Sequence, residues 1–442
     1  MNPVVVSVIV LTGLCLLKFN IIIAIMLSAV LAGLIAGMDM NTIMLTFIEG
    51  MASKNEVVLS YLLLGALAYG ISNTGLAAKL SNTLERSVGK AGKWFVIILA
   101  GVACLSQNVI PIHIAFIPIL VPPLLHFMNN LKIDRRAAAC ALTFGLKAPY
   151  MLIPAGFGLI FQGIVSTEMT KNNMPVDTSA VWPAAILPAA GMLIGLFIAV
   201  FFTYRKSRHY EDKPLIGLPV VDEDAKKGFT IRHWGALIGA LAAFITQIVF
   251  NQITGSGASW ALPLGAAIGV VIMVATGAIK YKEFDATVKG GISLMGFIAF
   301  IMLTAGGFAD VIRETGGVGT LVEWARGIVG DNKLGAVIAM QLVGLLITMG
   351  IGTSFGTVPI IATIFVPLCI SMGFSPMATT ALIISAGVTG DAGTPASDST
   401  LGPTAGLNAD GQHDHIYDTC VPTFIHYNIP IMIMGTVAAM IL

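Results

Sequence analysis

The chain has 442 residues, 56% hydrophobic and 11% charged, with a formal net charge of +1 and a mean hydropathy of +0.88. That balance excludes a soluble globular domain and a disordered chain. No basic patch interleaved with aromatics suggests nucleic acid as a partner.

In chain order, the first apolar run, Pro3–Leu17, has no basic residues ahead of it and no small-residue cleavage pattern. It reads as a retained span rather than a signal peptide. The stretches Trp182–Phe202, Gly235–Phe250, Leu262–Ile279 and Val421–Leu442 are each long enough, or nearly so, to cross a bilayer. The five cysteines, Cys15, Cys104, Cys140, Cys369 and Cys420, lie in apolar surroundings without metal-type spacing and read as packing residues. Polar loops separate the apolar runs. With the segments 93–110 and 112–128 taken as a pair, and the basic loop 204–233 placed in the cytoplasm, the inner loops hold 18 Lys/Arg and the outer loops five. That bias sets the orientation. The loop 204–233 mixes both signs of charge and reads as a solvated connector between two halves.

The halves resemble each other. At an offset of 241 residues, Gly65 falls on Gly306, Thr74-Gly75 on Thr315-Gly316, Val88-Gly89 on Val329-Gly330, Pro118 on Pro359 and Pro154-Ala155 on Pro395-Ala396. Shared glycines and prolines mark backbone breaks, and duplicated halves with matching breaks are a signature of secondary transporters. The loop charges place 79–93 and its counterpart near 320–334 on opposite faces, so the repeats are expected to be inverted. The expected organisation is N-terminal scaffold spans over 1–55, a first repeat over 56–165, connecting spans over 166–290, a second repeat over 291–407, and a loop and last span over 408–442.

Each repeat has two disrupted places: Ser106-Gln107-Asn108 through His113 and Lys147-Ala148-Pro149 through Gly156 in the first, Gly350–Thr357 and Thr389–Thr400 in the second. Irregular backbone at membrane depth survives only where it is buried in protein or lines a wet cavity. Its free carbonyls attract cations, and the N-termini of half-helices attract carboxylates. Lys147, Asp391 and Asp398 stand in otherwise apolar or small-residue stretches. An ionised side chain at bilayer centre costs on the order of 3 kcal/mol on insertion scales, so these three need partners or a purpose. The two aspartates, with hydroxyls around them, suit a small hard cation such as sodium; a buried salt bridge that only stabilises a helix crossing is the alternative. His113 is either a solute or proton group or a satisfied intramembrane histidine. His413-Asp414-His415 lacks further ligands at metal spacing and reads as a solvated loop that caps helices.

The motifs resemble a known family. Gly350-Ile351-Gly352-Thr353-Ser354-Phe355-Gly356-Thr357 is similar to the Gly-Thr-Ser-aromatic-Gly-Thr motif of NhaC-type sodium/proton antiporters. Gly390-Asp391-Ala392-Gly393-Thr394-Pro395-Ala396-Ser397-Asp398-Ser399-Thr400 resembles that family's Gly-Asp-His-x-Ser-Pro-x-Ser-Asp-Thr-Thr, and Asp414–Pro422 its Asp-His-hydrophobic-x-x-Thr-x-x-Pro segment. The resemblance implies the ion transporter superfamily: an all-α polytopic protein of the cell (inner) membrane, two inverted-topology repeats with re-entrant hairpins and broken helices, a dimerising scaffold and elevator-type movement. It also assigns Asp391, Asp398, Thr353, Ser354, Thr394 and Ser397 to the site. The family's His after the first Asp is Ala392 here and Gly393 follows, which predicts a roomier pocket, and the segment Gly402–His413 looks more like the YuiF-like branch linked to amino acid transport.

The expected site therefore comprises Ser106, Gln107, Asn108, His113, Lys147, Gly352, Thr353, Ser354, Gly356, Thr357, Asp391, Thr394, Ser397 and Asp398, with Asp391 and Asp398 as sodium ligands. The expected function is sodium- or proton-coupled transport of a small polar solute, an amino acid such as histidine, by a homodimer in contact with membrane lipid. No cofactor is expected beyond the coupling ion. A sodium/proton antiporter without organic cargo is the alternative. A channel is disfavoured because no ring of like charges or filter repeat occurs, and an enzyme because no nucleophile–base pair or metal constellation lies in the spans.

Overall fold

In the computed structural model, which describes residues 2–76, 92–108, 116–154, 157–213, 229–254, 260–321, 327 and 332–442, the apolar runs fold into helices, and no strand occurs among the described residues. The first half contains α1 (Pro3–Leu16), α2 (Ile21–Ile35), α3 (Met40–Ala52), α4 (Asn55–Asn73), α5 (Gly92–Asn108), α6 (Phe116–Asn130), α7 (Arg135–Leu152) and α8 (Phe157–Lys171). Then come α9 (Thr178–Ala184), α10 (Ile186–Ile198, running into a π turn to Thr203), α11 (Ile231–Thr254) and α12 (Ala261–Ala275). The second half contains α13 (Phe284–Glu314), α14 (Lys333–Ile351), α15 (Ser354–Ser371), α16 (Pro376–Val388), α17 (Asp398–Leu407) and α18 (His415–Ile441).

Short polar residues decide where these helices begin. Asn2, Asn20, Asp39, Asp134, Asp177, Asn332, Ser375, Ser397 and Asp414 each accept a hydrogen bond from a backbone N–H of the turn that follows. Such a cap contributes about 1 kcal/mol. The four stretches expected to span the membrane fall on α9–α10, α11, α12 and α18. Among the described residues, five helices are long and apolar enough to cross a bilayer, and α7 with α8, bent by 52° at their junction, gives a sixth. The chain is a multi-pass membrane protein.

The internal duplication extends to the helix pattern. Adding 241 to the start of α7 gives the start of α16, and adding it to the end of α4 gives the end of α13. The chain reversals correspond too: Gly75 and Gly316 have φ of +78° and +62°, and Lys132 and Gly373 have +53° and +68°. Close packing supports the arrangement. A Cβ on Gly65 would meet the Gly291 carbonyl at 2.6 Å where α4 meets α13, and one on Gly145 would lie 2.2 Å from the Ala103 Cβ where α7 meets α5. Small residues let membrane helices approach to this distance.

Two expectations need correction. The disruption expected from Lys147-Ala148-Pro149 onward starts later. Helix α7 runs through Pro149 to Leu152, and the break begins at Ile153. Proline is tolerated there because neighbouring helices and local adjustment satisfy the freed carbonyl. The segment around His413 is not a solvated loop, although Asp414 does cap α18. Asp410 and His413 are buried. The cause is Arg135, counted in sequence as a loop cation but completely buried, which grips Asp410 with both terminal nitrogens at 2.6 and 2.5 Å. That clamp, with Arg135 also donating to the Leu407 carbonyl, pulls the loop onto α7.

A buried ion pair that loses one partner leaves a desolvated charge, a cost of about 3–5 kcal/mol. Arg135→Ala should therefore lower the thermal unfolding temperature in detergent far more than Arg136→Ala, whose partner Asp134 it meets at a half-exposed position. Burial also pushes the His413 imidazole from 6.5 down to about 3. Between those values the unfolded chain binds a proton that the folded chain refuses, so this contribution is complete above about pH 6.5 and declines as pH falls. His413→Gln should flatten the fall in unfolding temperature between pH 6.5 and 4, read by differential scanning fluorimetry.

Candidate ion and solute site at the helix breaks

Two helix breaks of the second half meet beside the C-terminal part of α7. Gly352 and Thr353 separate α14 from α15, residues 389–397 separate α16 from α17, and the α7–α8 junction lies beside them. The first break uses Gly352 in the left-handed region at φ +76°, and the second turns at Gly390 and Gly393, at φ +95° and +101°. Side chains pin the two broken backbones together. The Thr394 hydroxyl donates to the Met349 carbonyl at 3.2 Å. Thr400 donates to the Thr394 and Ser397 carbonyls. Asn428, which ends a π turn in α18, accepts from the Gly390 N–H at 3.0 Å and donates to the Ala392 carbonyl at 2.7 Å. Thr143 on α7 donates to the Ser399 carbonyl at 2.9 Å.

Asp391 lies at the centre. One carboxylate oxygen receives the Lys147 ammonium, the Ser354 N–H at 3.1 Å and the Ser354 hydroxyl. The other receives the hydroxyls of Ser397 and Ser399. Lys147 spends its remaining protons on Ser354 Oγ at 3.1 Å and Tyr150 Oη at 3.3 Å, and Tyr150 donates to Ser354 Oγ at 3.0 Å. Five donors on one carboxylate leave no lone pair free, and three acceptors on one ammonium leave no proton free. The group is buried, with Lys147 at 2% and Asp391 at 6% exposure. The rings of Tyr150, Phe161 and Phe355, with centroids 4.9–5.4 Å apart, cover it with apolar surface.

Asp398 is different. It is the first residue of α17, half-buried, and its side chain makes no hydrogen bond or ion pair among the described residues. The helix N-terminus favours its negative charge. Lys147 and, on α4, Tyr61 lie near Asp398, and the buried Tyr61 hydroxyl has no hydrogen-bond partner among the described residues. Lys147 and Asp391 cancel each other, which leaves Asp398 as the carboxylate of the centre without a counter-ion among the described residues.

The structure brings together Lys147, Ser354, Asp391 and Ser397, with Asp398 beside them. It does not point every expected residue at the carboxylates. Thr357 bonds the carbonyl of Thr353 on its own helix, Thr394 locks backbone, and Gly352 and Gly356 contribute shape. Ser106, Gln107 and Asn108 close α5; their side chains, and His113 altogether, lie outside the described residues. The roomier pocket expected at Ala392-Gly393 is absent on that side, because α18 fills it: a Cβ on Gly393 would lie 2.5 Å from that of Phe424. Sequence reasoning missed Tyr150, Ser399, Asn428 and Tyr61. Tyr150 alone left a local signal, one helical turn after Lys147.

Comparison with known proteins agrees with this setting. A family model described as the Na+/H+ antiporter family matches residues 141–438, and a second, described as the Na+-H+ antiporter family, matches 2–88. An uncharacterized membrane protein of Vibrio parahaemolyticus is 46% identical over the whole of both chains. YuiF of Bacillus subtilis, a candidate amino acid transporter, is 44% identical over the whole of both chains. Among solved structures, the YdaH transporter of Alcanivorax borkumensis aligns over 90% of this chain and 87% of its own, at 15% identity and a TM-score of 0.41.

Asn428 holds both sides of the break before α17. Asn428→Ala removes both bonds and leaves a buried N–H and a buried carbonyl unpaired, at about 1–3 kcal/mol each. The unfolding temperature should fall, and limited proteolysis should find a new cut within 389–397; an unchanged melting curve would contradict the clamp.

Proposed function

The chain belongs to the Na+/H+ antiporter family and is a secondary transporter; from that premise we propose that it couples sodium or proton movement to the transport of a small amino acid-like solute. The observation that carries the proposal is the unequal pairing of the centre: Asp391 is neutralised by Lys147, and Asp398 has no hydrogen-bond or ion-pair partner among the described residues. A protein that leaves one carboxylate uncompensated beside broken helices offers a seat to a cation. The hydroxyls of Ser397 and Ser399 and the break's carbonyls supply the hard oxygen ligands that sodium prefers.

The solute's ammonium and carboxylate need separate partners. Asp398 and the Tyr61 hydroxyl suit the ammonium, and Lys147 suits the carboxylate once it releases Asp391. Cation binding at the aspartates loosens the Lys147–Asp391 pair and so ties ion occupancy to solute occupancy. The two halves would face opposite ways in the membrane, with the broken helices travelling against a homodimeric scaffold. Support for an amino acid as cargo is the likeness to YuiF. The second reading, sodium/proton exchange without organic cargo, draws on the same pair: a sodium ion at Asp391 would expel the Lys147 proton.

Uptake of a labelled amino acid panel into proteoliposomes distinguishes the two. Accumulation driven by a sodium or proton gradient supports a solute carrier; sodium-driven pH change without accumulation supports the exchanger. Asp398→Asn should reduce gradient-driven transport by at least tenfold while the melting curve stays near wild type. Full coupled activity in that variant would remove Asp398 from the cation seat.

A further inference from the structure

A polar cavity lies at the opposite end of α7, far along the helix from Lys147. It has a volume of about 170 Å³, well above the ~10–15 Å³ that one water needs. Its walls come from α5, the α6–α7 turn, the first turn of α7 and the π turn that ends α10. Three cations line it: Lys132, Arg205 and Lys206. All three are exposed, and none makes a side-chain hydrogen bond or ion pair among the described residues.

The acidic groups around the cavity are already committed. Asp134, the one carboxylate in its wall, holds Arg136 through three contacts of 2.6–3.1 Å and caps α7. Asp418 holds Arg208 at 2.7 Å, Asp212 contacts His126 at 3.1 Å and Glu211 contacts Lys213 at 3.0 Å. Among the described residues the excess charge is therefore positive, and the backbone keeps it in place: the Arg208 N–H donates to the Lys132 carbonyl at 3.1 Å, fixing the 205–207 segment opposite the turn.

The surroundings say where in the membrane this cavity sits. Trp94 and Phe202 are exposed, Trp94 packs edge-on against Phe201, and Phe197 stacks on Phe201. Exposed Ile98, Leu193 and Ile194 continue the apolar surface toward the bilayer core. Amphipathic aromatics such as Trp94 and Tyr204 beside basic side chains mark the membrane–water boundary, and the loop charges put this boundary on the cytoplasmic side. A basic pocket between helices at that level suits an anionic headgroup.

We propose that this cavity is a phosphate-binding site formed by Lys132, Arg205 and Lys206, whose ligand is the phosphodiester of an anionic phospholipid with its acyl chains along α5 and α10. The site ties the cytoplasmic end of α7, the helix that carries Lys147, to the end of α10. Free phosphomonoesters share the chemistry but lack the chains.

Purified protein in uncharged detergent is titrated with phosphatidylglycerol, phosphatidylcholine or glycerol 3-phosphate, and binding is read from the shift in unfolding temperature. Phosphatidylglycerol should raise it saturably, and phosphatidylcholine should not. In the Lys132→Gln, Arg205→Gln, Lys206→Gln triple variant the midpoint should move to about a hundredfold higher lipid, from a roughly fivefold contribution of each cation. A shift with glycerol 3-phosphate that the lipid does not exceed would place a soluble phosphate there and overturn the lipid assignment. No shift with either anion, or an unchanged midpoint in the triple variant, would overturn the site. Should the triple variant not fold, Arg205→Gln alone, on an exposed side chain, must retain fewer phosphatidylglycerol molecules in native mass spectra than wild type; equal retention would count against the site.

Discussion

The ion pair between Lys147 and Asp391 is the interaction on which the rest of the core depends. Two opposite charges have been taken out of water, and their attraction offsets the desolvation cost only because every remaining proton and lone pair is used. That requirement explains the neighbourhood. Ser354 must begin a helix there so that its N–H points at the carboxylate, Ser397 and Ser399 must sit across the second break, and Tyr150 must follow Lys147 by one turn. The breaks give access to backbone that a continuous helix would hide.

The pair's completeness also defines what is left over. Asp398 shares the site with no partner of its own among the described residues, so the centre is polarised between a saturated carboxylate and an unsaturated one. A site with both groups paired would be a structural clamp; a site with neither paired would not be stable in so apolar a setting. On the proposed reading, holding one in reserve would let the cation be exchanged at small cost, which is what coupling requires.

Much of this was legible in the sequence because membrane helices leave few reasons for polar residues. Gly352, Gly390, Gly393 and Pro395 announced the breaks, and charges at 147, 391 and 398 marked the candidate site. The duplication was legible in its glycines, and it reappears in helix boundaries that no residue match had marked. Other parts were not legible. Ser399 and Asn428 look like ordinary hydroxyl and amide residues, and only tertiary packing brings them to the break. Gly393 suggested space, whereas it marks a close approach by α18. The His413 segment suggested solvent, because its burial depends on a clamp between residues 275 positions apart, Arg135 and Asp410.

The most direct test is infrared difference spectroscopy of the purified protein as sodium is added or pH is lowered, followed in the carboxylate stretching region. The account predicts a carboxylate band that responds to the cation in wild type and disappears in Asp398→Asn, with the Asp391 band remaining ionised. A cation-sensitive band that persists in Asp398→Asn, or no carboxylate response to either ion, would contradict it.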